Sequence, residues 1–170
     1  MSYSKRLILV LGIVVGLVLL DQLSKWIAIR VLMDKGEIDY LGGLFRWRFA
    51  TNKGAFLSLG STLNESQRFW LLTAFNGVIL VVVALFLLLK DRMQSFVAVA
   101  LALILAGGIG NLIDRLFRDG HVIDFMNIGI KNLRTGIFNV ADLAIVGGLA
   151  LLVVMEFRNG KRQESVQAHE

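Results

Sequence analysis

Cysteine and proline are both absent from this 170-residue chain, and histidine occurs only at positions 121 and 169. Without cysteine there can be no disulfide, thiolate metal site or cysteine nucleophile. With two imidazoles and no HExxH spacing, a zinc centre lacks its usual donors, so neither metal nor cofactor is expected. The lack of proline predicts unkinked helices. Charge is scarce too, over four long stretches, and there the chain declares its solvent.

Apolar residues make up 56% of the chain and the mean hydropathy is +0.69, far too apolar for a soluble domain of this size. Crossing hydrocarbon takes about 20 apolar residues in a helix whose backbone amides are bonded internally. Residues 7–29, 69–89, 96–113 and 140–157 meet that requirement. The first is apolar to Leu20 and then interrupted by Asp21, Gln22, Ser24 and Lys25; the second carries no charge. The expected fold is therefore all-α, a four-transmembrane-helix bundle with a small β-hairpin or sheet element and an interfacial loop. One membrane domain covers residues 1–158, and 159–170 form a polar C-terminal tail.

Lys5 and Arg6 precede the first apolar run as in a signal peptide, but no small-x-small cleavage pattern follows, which predicts an uncleaved first span. Four spans put both termini on one side. Lys5, Arg6, Lys90, Arg92, Arg158, Lys161 and Arg162 lie in the tails and the short middle loop, which assigns that side to the cytoplasm. The net charge of +5 flanks membrane segments, so it reads as contact with phospholipid headgroups and not as nucleic-acid binding.

The two longer loops then share the outer face. In the first, Phe45, Trp47 and Phe49 alternate with Arg46 and Arg48 after Gly42-Gly43, the period of a strand with one apolar face. Its aromatics could rest on the acyl boundary while the arginines reach phosphates, or the hairpin could pack on its own helices. In the second loop Val122, Asp124, Met126 and Ile128 share one side of another strand. A carboxylate there is costly unless paired or protonated.

Polar groups cluster at a few points of the spans, and each cluster has a bland reading beside the functional one. Asp21 and Lys25 are spaced as an i,i+4 ion pair at a helix end. Gly12 and Gly16 are spaced for helix packing. Gly107, Gly108 and Gly110 allow close approach of another helix just before Asn111, Asp114 and Arg115, which form either a structural polar knot or part of a site. Asn139 and Asp142 have capping-box spacing at the start of the last span, so Asp142 is a capping acid or something more.

The pairing of Asp124 with Asp142, two outward-end acids joined by a short loop, points to chemistry. Two neighbouring carboxylates at low dielectric do not both ionise easily, so one retains a proton. One can then take a proton from water while its protonated partner polarises a carbonyl. Ser24 and Lys25 are no rival pair, because adjacent helix residues do not face each other.

Five blocks together resemble the lipoprotein signal peptidases, the type II signal peptidases of bacteria. They are residues 21–25 (DQLSK), 52–56 (NKGAF), 107–115 (GGIGNLIDR), 122–125 (VIDF) and 138–142 (FNVAD), in family order and in register with the spans. The resemblance implies an intramembrane aspartic endopeptidase of the bacterial inner membrane, active near the periplasmic face and working as a monomer. Its substrate would be a prolipoprotein cleaved before a diacylglyceryl-modified lipobox cysteine. It assigns catalysis to Asp124 and Asp142, a surrounding pocket to Asn52, Gly54, Asn111, Arg115, Asn139 and Ala141, and supporting roles to Asp21, Lys25 and Asp114. One departure stands out: a single Ala55 separates Gly54 from Phe56 where the family usually has two alanines, and Lys53 adds a charge. That implies an altered substrate preference or a specialised paralogue. The alternative from another class is a non-catalytic membrane transporter or lipoprotein-binding paralogue. A transporter would gather its polar groups at the bilayer midplane, and here they sit toward the helix ends.

Overall fold

The computed structural model describes residues 1–54 and 63–167, with side chains described to residue 158. Among the described residues four helices are long and apolar enough to cross a membrane: α1 (Tyr3–Leu32), α2 (Glu65–Leu89), α3 (Ser95–Phe117) and α4 (Val140–Gln167), the last apolar as far as Arg158. The first three outrun their sequence-predicted spans by a few residues and α4 outruns its span by ten, because polar end residues extend a helix that hydropathy alone cannot delimit. The polar residues after Arg158 continue as helix.

Burial ranks the helices. Half of the apolar window of α3 is buried, against 11–17% in the other three, so α3 is the central helix on which they pack. Val10, Leu80, Leu87, Ala98, Ala102 and Leu105 form the bundle core. Outside it, Ile8, Leu11, Leu19, Val78, Leu149 and Val153 are more than half exposed. Such a contiguous apolar exterior is stable only against lipid. The protein is a multi-pass membrane protein.

Close packing on α3 depends on its glycines. A Cβ on Gly107 would collide with the carbonyl oxygen of Ala141, and one on Gly110 would come within 2.6 Å of Asp21 Oδ2. Gly12 and Gly16 behave differently: among the described residues nothing lies within 4 Å of where their Cβ atoms would be, so the packing predicted for them does not occur there. The helices are not all regular either. Residues Phe69–Ala74 of α2 form a π-helical stretch without any proline, since one extra residue in a turn widens a helix by itself.

Both longer loops contribute to one antiparallel sheet ordered β1 (Glu37–Tyr40), β2 (Phe45–Asn52), β3 (Val122–Ile130), β4 (Leu133–Arg134). Ile38, Phe45, Trp47 and Phe49 pack against Ala28 and Leu32 of α1 together with Phe125, Met126 and Phe138. The aromatic strand thus rests on its own helices. Arg46 is held by Glu37 and Asp39 at 2.9 Å each, so of the two arginines only Arg48 is exposed. Nor does β3 keep a clean alternation, because Val122 through Asn127 are all buried, with the adjacent Phe125 and Met126 both in the α1 cluster.

Candidate active site

Pairing of β2 with β3 sets Ala50 opposite Asp124 and Asn52 opposite Val122, so Asn52 leans over the aspartate from two residues along. Its Nδ2 donates to Asp124 Oδ2 at 3.1 Å. Beyond β4 the chain returns along β3: Phe138 N–H donates to the Met126 carbonyl (2.8 Å), and its own carbonyl accepts from Met126 (2.9 Å) and Phe125 (3.0 Å). That return delivers Asn139 to the other side of Asp124, where its Nδ2 donates to Oδ1 at 2.7 Å.

Asn139 also starts α4. Its Oδ1 accepts from the Asp142 N–H at 2.9 Å, while its own N–H donates to Asp142 Oδ2 at 3.2 Å, a reciprocal capping box. The remaining oxygen of Asp142, Oδ1, accepts from Asn111 Nδ2 at 2.9 Å. The two readings of Asp142 are therefore compatible, one oxygen for each.

Asp124 and Asp142 face a common cavity of about 500 Å³, with Asn52, Asn111 and Arg115 also on its wall. The rest of the wall is largely apolar, from Leu71, Leu72, Phe75 and Ile79 of α2 to Ile145, Val146 and Leu149 of α4. Burial pushes the Asp124 carboxyl up to about 7, helped by the charge of Asp142 and opposed by the hydrogen bonds from Asn52 and Asn139.

Behind the wall lies a fully buried ionic cluster. Lys25 Nζ sits 2.8 Å from Asp21 Oδ2, 2.9 Å from Asp114 Oδ2 and 3.1 Å from Asn111 Oδ1. Asp21 Oδ1 accepts the Ala141 N–H at 2.9 Å, capping α4 from α1, and Asp114 accepts the Ile123 N–H at 3.0 Å, tying α3 to β3. The pair is thus no isolated ion pair at a helix end. Of the predicted pocket residues, Gly54 takes part through its carbonyl, which accepts from Arg115 Nη2 at 3.0 Å. Ala141 is buried against the glycines of α3 and stands behind the cavity. Ala55 and Phe56 of the shortened motif lie outside the described residues.

Sequence reasoning missed Gln22, whose Nε2 reaches Asp21 Oδ2, Asp114 Oδ1 and the Gly110 carbonyl at 3.1 Å each. It also missed Arg118, 3.2 Å from Asp114, and Asn76 on the cavity wall. A lone asparagine in an apolar span is a signal that could have found Asn76.

The family model described as Signal peptidase (SPase) II matches residues 13–158. The chain belongs to this family. Lipoprotein signal peptidase from Ralstonia nicotianae is 40% identical over 152 residues, covering 89% of this chain and 86% of the relative. The Mycobacterium avium lipoprotein signal peptidase is 34% identical, covering 89% and 80%. A solved bacterial membrane enzyme superposes with a TM-score of 0.75 at 25% identity over 90% of both chains. As a signal peptidase II this protein is an intramembrane aspartic protease that processes prolipoprotein signal peptides.

Proposed function

We propose that Asp124 and Asp142 are the catalytic pair and that they hydrolyse the peptide bond before a diacylglyceryl-modified lipobox cysteine. The observation that carries this reading is Asn139, which hydrogen-bonds both carboxylates and so holds them to one cavity. Asp124 is the more deeply buried of the two, and burial holds its proton, so it is the member of the pair that carries the proton.

Chemistry then follows with protons in balance. Asp142 takes a proton from water as the water oxygen bonds to the scissile carbonyl carbon, and Asp124 passes its proton to the carbonyl oxygen. In the collapse the carbon–nitrogen bond breaks, Asp142 protonates the leaving amine of the cysteine, and Asp124 recovers a proton from the diol. Asn52, Asn111 and Asn139 hold the pair, Arg115 and Gly54 fix the loop beside it, and Asp21, Lys25 and Asp114 support them.

The apolar wall between α2 and α4 suits a signal helix and acyl chains entering sideways from the bilayer. We place the enzyme in the inner membrane as a monomer among phospholipids, with both termini in the cytoplasm and the cavity near the periplasmic face. A gel-shift assay on diacylglyceryl prolipoprotein tests the assignment: wild type cleaves, while Asp124→Asn and Asp142→Asn fold in the membrane and do not. Cleavage by either variant would refute it.

A further inference from the structure

Each of the three asparagines around the aspartates has its side-chain oxygen occupied by a donor that cannot reverse. Asn52 Oδ1 accepts the Gly54 N–H at 2.9 Å, and Asn139 Oδ1 accepts the Asp142 N–H at 2.9 Å. Asn111 Oδ1 accepts from Lys25 Nζ and from Asn139 Nδ2, both at 3.1 Å. An ammonium has three donors and no acceptor, and a backbone N–H can only donate. The orientation of each amide is therefore dictated by its neighbours, and each NH2 must face a carboxylate. In the Asn111 case the dictating group is a side chain from another helix.

From this we infer that Lys25 is a positioning residue for the reaction: by occupying Asn111 Oδ1 it obliges the Asn111 NH2 to donate to Asp142 and bars Asn111 from accepting the proton the aspartates share. Each of these three amide oxygens is then engaged by another donor and is not turned toward that proton. Both oxygens of Asp124 already accept an NH2, and each carboxyl oxygen has two lone pairs, so the proton takes a remaining one. A neutral group at position 25 would let the Asn111 amide turn over and present its oxygen to Asp142. Asp142 would lose a donor and be drawn to keep a proton it should be free to take from water.

The inference rests on the assignment of Asp124 and Asp142 as catalytic. The charged groups around them are Lys25 and Asp21 on α1, and Asp114 and Arg115 on α3, with Arg118 on Asp114. Lys25→Met alone strands two buried carboxylates and is expected to unfold the protein. The informative variant is Asp21→Asn/Lys25→Met/Asp114→Asn, which removes all three charges together. If Lys25 serves only to neutralise its neighbours, this variant regains wild-type turnover. If Lys25 positions Asn111, it folds, KM stays within about threefold, and kcat on diacylglyceryl prolipoprotein falls by about tenfold or more.

Asn111→Asp keeps an acceptor for Lys25, and with it the fold, but turns a carboxylate oxygen instead of an NH2 toward Asp142. A third acid beside the pair raises the affinity of both aspartates for protons, so kcat falls and the whole pH–rate profile moves to higher pH. Wild-type kcat and profile in Asn111→Asp, or wild-type kcat in the folded triple variant, would overturn the inference. Failure of the catalytic assignment is separate, since it appears as cleavage by Asp124→Asn or Asp142→Asn.

Discussion

Asn139 and Asp142 cap each other across the first turn of α4, side chain to backbone in both directions, at 2.9 and 3.2 Å. The same asparagine reaches Asp124 with its amide nitrogen at 2.7 Å. A motif that ordinarily does no more than start a helix here registers two carboxylates from different segments.

Asn139→Ala should accordingly lose twice. Removal of the cap costs about 1 kcal/mol of stability, and loss of the donor to Asp124 lowers kcat by about 10²-fold. Thermal melts in detergent and the cleavage assay separate these effects.

The pH dependence follows from Asp124, held up to about 7 mainly by burial. Between the ordinary carboxylate range and about 7 the folded protein binds a proton at this site that the unfolded chain has released. Its stabilising contribution is full below the ordinary carboxylate value and is lost as pH rises through about 7. Wild-type melting temperature should fall from pH 5 to pH 8 by more than that of Asp124→Asn. Turnover should decline on the alkaline side as the shared proton leaves.

The buried and exposed ion pairs should differ sharply. Asp114→Ala takes one partner from a fully buried Lys25 and is expected to cost about 3–5 kcal/mol. Arg46→Ala breaks two partly exposed pairs in the sheet and should cost about 0–1 kcal/mol for each. Denaturation of purified variants in the same detergent measures both.

Gly110→Ala is the most conservative change expected to do harm. Its methyl group would sit 2.6 Å from Asp21 Oδ2, the oxygen that also meets Lys25. Overpacking of this kind costs about 1–3 kcal/mol, whereas Gly12→Ala, with open space around it, should melt as wild type does.

Much of this was legible in the linear chain. Long apolar runs must become helices in lipid because no other structure satisfies the backbone there, so the four spans followed from hydropathy. The five motif blocks and the family were legible for a related reason: chemistry of this kind tolerates few residue types at its centre. Even the capping spacing of Asn139 and Asp142 could be read, since a capping box is made within four residues.

Contacts between distant segments were decided by the tertiary fold. Hydropathy does not say which of four apolar helices is central, and α3 becomes so through glycines whose clearance depends on Asp21 and Ala141 of other helices. Gly12 and Gly16 carry the same spacing signal and meet nothing among the described residues, because a small residue allows an approach without causing one. Lys25 and Asp21 read as a local pair. Only the packing of α1 on α3 brought Asp114 and Asn111 to the same ammonium, since a buried charge takes its partners from whatever helices the fold sets beside it.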